Sequence, residues 1–181
     1  MIFYHAYAII KNRHPAPSTK GTSMSTSSNV VINHTQFTKV RGMFADLVAK
    51  QDVAGIMRLA KARLERERHP VAIAAVHVYA AIAAGRMLGR SPLAMQHLLQ
   101  AKELIDGLEY ASVPMRLRVV LAVNLCKYAT CSDSEALIQI EKLERDYDQL
   151  VGNAFDATEK EELRAQVTRT VASLRMAAAA A

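Results

Sequence analysis

The sequence has no tryptophan, two cysteines, five prolines and seven glycines among its 181 residues. Two cysteines, Cys126 and Cys131, are too few for a disulfide scaffold and fit a reducing compartment, so we expect a cytoplasmic protein. The scarcity of glycine and proline, together with abundant alanine and leucine, favours packed helices over sheets. An apolar content of 51% in a chain of this length is enough for one domain with a sizeable core.

Motifs for catalysis and cofactor binding are missing as well. The sequence has no Gly-rich phosphate loop, no His-Glu-x-x-His motif and no Gly-x-Ser-x-Gly elbow. None of the six histidines stands at metal-ligand spacing from a carboxylate, and Cys126 and Cys131 have no second ligand pair nearby. The sequence therefore predicts a non-enzymatic protein that has no cofactor and no metal. His77, in an apolar stretch, is interpreted as a core histidine bonded to a backbone carbonyl or to a neighbour, with a buried polar switch as the alternative.

Two apolar stretches could be mistaken for export or membrane segments. Residues 1–10 are followed, not preceded, by basic residues, and they are fewer than the roughly 20 residues that a membrane-spanning helix needs. Residues 70–88 are nearly long enough, but they are rich in alanine and carry His77 at mid-length. We interpret them as a buried core helix and expect no membrane association.

Residues 70–106 are the centre of the predicted fold. Pro70 opens a helix that is apolar all round, Gly89 is placed to end it with a left-handed cap, and Ser91-Pro92 is a helix start. The second helix, up to Asp106, has one apolar and one polar face. A helix that is apolar all round belongs in the middle of a protein, and an amphipathic helix covers it. This hairpin is therefore predicted to be the core onto which the other helices fold.

Apolar stripes at helical spacing predict further helices on both sides of this hairpin. They cover residues 37–49, 53–68, 115–129 and 135–151, and a last helix begins near residue 158. Residues 35–176 are therefore expected to form a single α-helical domain. Residues 1–34 are expected to be a disordered Ser/Thr/Pro-rich tail, in which residues 1–23 could precede the natural start, and residues 177–181 a frayed alanine tail.

Seven predicted helices make three antiparallel hairpins and a C-terminal helix. The second helices align as Val53-Met57-Ala60, Ala94-Leu98-Ala101 and Ala136-Ile140-Leu143, and their first members lie 41 and 42 residues apart. Recurring helical hairpins are typical of stacked solenoids.

The middle hairpin, residues 70–106, resembles a tetratricopeptide repeat. It has Gly89 at the turn and the small, large and small residues Ala94, Leu98 and Ala101 in its second helix, although the spacing exceeds that family's roughly 34 residues. The resemblance implies a right-handed α-solenoid of tetratricopeptide type, for which a generic helical bundle is the alternative. In size and hairpin count the chain is similar to bacterial secretion chaperones of this type, which implies an adaptor or chaperone-like role. Those proteins are usually acidic, whereas this chain has a net charge of +6.

A groove for another protein follows from the solenoid hypothesis. First helices of stacked hairpins line the concave wall, where a peptide or a partner helix docks. The polar residues of these helices are mostly basic, and we predict that they bind an acidic peptide or an amphipathic helix. The predicted partner-binding residues are Arg41, Arg86, Arg116, Arg118, Asn124 and Lys127.

Charge is distributed unevenly along the sequence, and its distribution suggests further kinds of partner. Residues 36–70 carry eight bases and four acids, a net +4, whereas residues 132–163 carry three bases and ten acids, a net −7. This asymmetry suits an interaction surface or self-association, for example as a homodimer, or simply a solvated exterior. A weaker hypothesis is that the basic helical segment at residues 58–68 binds nucleic acid, although no aromatic residues interleave its charges for base stacking. The residues concerned are Arg58, Lys61, Arg63, Arg66 and Arg68.

Overall fold

A computed structural model describes residues 34–109, 112–130, 132–151 and 157–180. Over these ranges the chain is all-helical, with eight helices and no strand, which confirms the predicted all-α class. The predicted tail, residues 1–34, lies outside the described residues except for His34. The helices are α1 (His34–Ala49), α2 (Val53–Arg66), α3 (Pro70–Leu88), α4 (Pro92–Asp106), α5 (Met115–Tyr128), α6 (Asp133–Arg145), α7 (Tyr147–Val151) and α8 (Ala157–Ala179).

Short polar side chains begin three of these helices. The Asp52 carboxylate accepts a hydrogen bond from the Gly55 backbone N–H at 2.6 Å, at the start of α2. The Ser91 hydroxyl accepts from the Ala94 N–H at 3.3 Å at the start of α4. Ser132 begins α6 in the same way. Because the first N–H groups of a helix have no partner within it, such caps fix where a helix begins.

The central helix α3 packs against α1, α2, α4 and α5. Small residues on several sides let these helices come close, and Ala74, Ala80 and Ala84 have no exposed surface. The small, large and small residues predicted in α4, namely Ala94, Leu98 and Ala101, are likewise fully buried. By length and composition α3 could span a membrane, and 67% of its most apolar 18-residue window is buried inside the protein.

A second apolar cluster lies between α5, α6, α7 and α8. Helix α5 contributes to both clusters, since Leu117 and Leu121 pack in the first one and Val119 and Val123 in the second. Residues two positions apart on a helix point in nearly opposite directions, so one helix can serve two cores. Helix α5 therefore joins the α1–α4 part of the fold to the α6–α8 part.

The order of contacts follows the order of the chain. Helix α3 contacts both α1 and α5, while α2 packs on α1 and α3 and α4 packs on α3 and α5. At the C-terminal end, α8 contacts α5 and α6. The tetratricopeptide-like solenoid remains a prediction.

Three details differ from the sequence-based expectations. The helix expected at residues 135–151 is divided at Asp146 into α6 and α7. Met57 aligns with Leu98 and Ile140, which are fully buried, but it is 46% exposed. Helix α2 turns Ile56 and Ala60 inward, and Met57 lies outside that narrow face. Helix α8 continues to Ala179, past the domain boundary predicted at residue 176.

Candidate functional site

A cavity of about 580 Å³ lies between α1, α3, α5 and α8. Its volume is within the range of roughly 300–1,000 Å³ that is usual for ligand pockets. The structure brings five of the six predicted partner-binding residues to this cavity, namely Arg41, Arg86, Arg116, Asn124 and Lys127. Apolar and aromatic side chains complete much of the lining, among them Phe44, Val48, Tyr79, Ile82, Val120, Tyr128 and Leu163. The cavity therefore combines an apolar surface with cationic groups.

Two of the cations are at the ends of neighbouring helices. Arg86 is in the last turn of α3 and Lys127 is in the last turn of α5, where the helix dipole favours positive charge. Burial lowers the pKa of the Lys127 ammonium, and repulsion from the Arg86 guanidinium lowers it further. Two like charges that repel each other gain by binding an anion between them.

Tyr79 is an aromatic member of the cavity that sequence reasoning missed. It is in the middle of α3 and only 8% of its surface is exposed. Burial raises the pKa of its phenol, while Arg116 and Arg41 act in the opposite direction. The phenol thus lies within the field of cations from α1 and α5, and the cavity is a place where their charges converge.

Arg116 holds α8 against α5. Its Nε donates to Glu159 Oε1 at 3.2 Å, and its Nη2 donates to Glu162 Oε2 at 3.2 Å. The Arg116 side chain is 26% exposed and that of Glu159 is 28% exposed, whereas that of Glu162 is 64% exposed. Arg116, predicted to bind a partner, therefore already has carboxylate partners within the chain.

Sequence reasoning also missed the contribution of α8. Glu162, Gln166 and Arg169 line the cavity and stand at positions i, i+4 and i+7, which face one side of a helix. This spacing was visible in the sequence. Helical periodicity alone does not indicate that the C-terminal helix packs beside the first helices of the hairpins.

Four cations of the cavity have unengaged side chains. Within the described parts of the chain, the side chains of Arg41, Arg86, Lys127 and Arg169 make no hydrogen bond or ion pair. The lining holds five bases and one acid, Glu162, a net charge of +4. Such a cavity can hold an anionic group by hydrogen bonds from guanidinium and ammonium donors.

Arg118, the sixth predicted partner-binding residue, does not line this cavity. It is two residues from Arg116 on α5 and so points to a different side of the helix. Its surface is 9% exposed, and its Nη1 donates to the Val113 carbonyl oxygen at 2.8 Å. Arg118 instead borders a second, largely apolar cavity of about 760 Å³ between α4, α5 and α6. Asn124 stays at the first cavity, with its Nδ2 donating to the Val120 carbonyl oxygen of its own helix.

The basic helix α2 presents fewer available cations than its sequence suggests. Arg58 pairs with Asp52 at 3.3 Å, and Arg63 is half-buried with its Nη2 2.8 Å from Met43 Sδ. The Arg68 guanidinium donates to backbone carbonyl oxygens just before it. Of the five residues proposed for nucleic acid, Lys61 and Arg66 are the exposed ones that have no hydrogen bond or ion pair in the described part of the chain.

Other titratable groups in the described residues do not form a metal site. No group of three or more His, Cys, Asp or Glu side chains in that part of the chain could hold an ion. His77 is buried and hydrogen-bonded to His97, a neighbour, which is one of the two kinds of partner that the sequence suggested. Cys126 is buried, and Cys131 lies outside the described residues.

Comparison of the chain with protein-family models, with curated proteins and with solved structures finds no match. The candidate site therefore rests on its own geometry and chemistry.

Proposed function

We propose that this protein is a non-catalytic interaction module that binds an acidic segment of another protein in the cavity between α1, α3, α5 and α8. One observation carries the proposal: Arg41, Arg86, Lys127 and Arg169 come from four different helices to one cavity, and their side chains have no carboxylate partner in the described parts of the chain. Cations gathered around an apolar lining suit a peptide or helix that offers both carboxylates and apolar side chains.

A tetratricopeptide-like stacking of the hairpins is part of the proposal. It is supported by the contacts of α3 with α1 and α5, and by the position of α2 and α4 against successive pairs of these helices. It is also supported by the complete burial of Ala94, Leu98 and Ala101, the residues that carry the resemblance. In such a stack the first helices of the hairpins, α1, α3 and α5, form the wall that faces a partner. These three helices line the cavity together with α8.

Nucleic-acid binding through α2 is the weaker candidate. Three of the five residues proposed for it are engaged within the chain, by Asp52, by Met43 and by backbone carbonyl oxygens, and one of the three, Arg68, lies just past the end of α2. A surface that binds phosphates needs several available cations along one face. Lys61 and Arg66 alone give little affinity.

The experiment compares two double charge reversals that change the net charge equally. The variant Arg41→Glu/Arg86→Glu alters the cavity, and the variant Lys61→Glu/Arg66→Glu alters the exposed face of α2. Fluorescence anisotropy measures the binding of labelled hexaglutamate, of labelled hexalysine and of a random DNA duplex to each protein. Thermal melting followed by circular dichroism checks that both variants fold.

We expect wild type to bind hexaglutamate and not hexalysine. We expect the cavity variant to bind hexaglutamate about 10-fold or more weakly, and the α2 variant to lose less than about 3-fold. Equal losses in both variants would mean that only net charge matters and would refute the cavity as the site. Tight duplex binding that only the α2 variant loses would support the nucleic-acid alternative instead.

A further inference from the structure

The carboxylate of Glu162 lies at the same cavity in which we place the acidic partner. It is the one acid in the lining, and it pairs with Arg116 Nη2 at 3.2 Å. The other four cations of the cavity have no such partner in the described residues. Within this cavity, Glu162 thus forms with Arg116 the kind of ion pair that carboxylates of the partner would form with the other four cations.

The two ion pairs of Arg116 differ in exposure. The Glu159 pair is mostly shielded, with 26% and 28% of the two side chains exposed. The Glu162 side chain is 64% exposed, so its carboxylate can return to water at little cost. Glu159 can therefore keep α8 on α5 while Glu162 leaves Arg116 to another carboxylate.

We infer that Glu162 is an internal competitor that occupies Arg116 until an acidic partner displaces it. This inference rests on the proposed function, because it presupposes that the cavity binds acidic segments. Displacement makes Arg116 the fifth cation available to the partner, and it removes the one negative charge that repels the partner from the cavity. A segment with several carboxylates displaces Glu162, whereas a single carboxylate competes poorly with a group already tethered at the cavity.

The test replaces Glu162 by its uncharged isostere and uses the adjacent residue as the control. Glu162→Gln removes the competitor, while Glu161→Gln removes an exposed carboxylate that does not line the cavity. Both changes alter the net charge by the same amount. Hexaglutamate binding is measured by anisotropy at low salt for wild type and both variants, and circular dichroism melting checks that α8 remains folded.

We expect Glu162→Gln to tighten hexaglutamate binding by about 5-fold or more, the lower end of usual coupling between competing events, and Glu161→Gln by less than about 2-fold. In an Arg116→Gln background the gain from Glu162→Gln should be smaller than in wild type, because there is no longer an Arg116 to release and only the loss of a repelling charge remains.

The possible failures are distinct. If wild type binds hexaglutamate through Arg41 and Arg86 but Glu162→Gln gives no gain over Glu161→Gln, the competitor is refuted and the binding function stands. A gain that persists in full without Arg116 would also refute competition for that residue. If neither wild type nor Glu162→Gln binds hexaglutamate, the proposed function fails, and the competitor fails with it. Binding by Glu162→Gln alone would support both.

Discussion

His77 Nδ1 lies 2.8 Å from His97 Nδ1, across the contact between α3 and α4. The two ring centroids are 5.1 Å apart and the ring planes are inclined at 46°. Both residues are buried, with 8% and 9% of their surfaces exposed. One nitrogen must donate and the other accept, so at least one of the two rings has to be neutral for this hydrogen bond to form.

This pair predicts a loss of stability in mild acid. Burial, and to a lesser degree the charge of His97, lowers the pKa of His77 from 6.5 to about 4, and burial lowers the pKa of His97 too. As the pH falls below about 6.5, the two imidazoles of the unfolded chain therefore take up protons that they do not take up in the folded chain. Stability from the pair is complete above pH 6.5 and falls as the pH decreases towards 4, by up to about 1.4 kcal/mol per pH unit from His77. His97 adds to the loss in the same direction.

Urea denaturation between pH 7.5 and 5, where few carboxyl groups titrate, measures this effect. The variant His77→Gln/His97→Gln has no titrating group at this contact and should show a much flatter dependence of the free energy of unfolding on pH. An equally steep dependence in that variant would place the acid sensitivity elsewhere.

The backbone of α3 at Gly85 lies against the ring of Tyr128 on α5. A Cβ atom at residue 85 would lie 2.7 Å from three carbons of that ring, which is closer than van der Waals contact allows. We expect Gly85→Ala to lower the free energy of unfolding by about 1–3 kcal/mol, because this clash outweighs the better helix propensity of alanine.

Gly42 supplies the matched control for this substitution. It is within α1, and an added Cβ would meet nothing within 4 Å. Gly42→Ala should therefore raise the free energy of unfolding by about 0.5–1 kcal/mol. If chemical denaturation gives the two variants the same sign, the close approach of Tyr128 to α3 is wrong.

Much of the helical layout is predictable because local chemistry determines it. Helices α3 and α4 have the bounds expected from Pro70, Gly89, Ser91 and Pro92. Gly89 ends α3 with a φ of 65°, a positive value that glycine adopts at no steric cost, although its ψ of −142° lies outside the expected left-handed helical region. No glycine or proline in the sequence marks the break between α6 and α7. It accompanies tertiary contacts, such as the Tyr147 hydroxyl donating to the Lys160 carbonyl oxygen at 2.7 Å, which sequence periodicity does not contain.

The candidate site could be predicted only in part. Helical periodicity places Arg41, Arg86, Arg116 and Lys127 on the first helices of the hairpins, and the structure places them at one cavity. It does not tell which side of α5 faces that cavity, so it groups Arg118 with Arg116, although Arg118 is buried on another side of the helix. The pairing of Arg116 with α8 was also beyond reach, since it joins residues 43 and 46 positions apart in the chain.

Arg118 is expected to matter for stability. Its guanidinium is buried and holds the Val113 carbonyl oxygen at 2.8 Å, at the start of α5. Arg118→Gln should lower the free energy of unfolding by about 1.5–3 kcal/mol, the usual cost of losing a buried hydrogen bond to a charged group. Arg41→Gln, at an exposed position, should change it by less than about 0.5 kcal/mol. Urea denaturation of both variants decides the matter, and an Arg118→Gln variant as stable as wild type would mean that the buried contact contributes little.

Cys126 should resist thiol reagents in the folded protein. Burial between α5 and its neighbours raises the pKa of its thiol from 9.0 to about 11, and only the thiolate reacts. At pH 8 the raised pKa alone lowers the thiolate fraction about 100-fold, and burial also restricts access of the reagent.

The measurement uses a Cys131→Ser variant, in which Cys126 is the single thiol, and follows the release of thionitrobenzoate from Ellman's reagent. Rapid reaction in native buffer, equal to that in guanidinium chloride, would show that α5 exposes this residue. A reaction seen only with denaturant would mean that Cys126 reports unfolding of the cluster formed by α5, α6, α7 and α8.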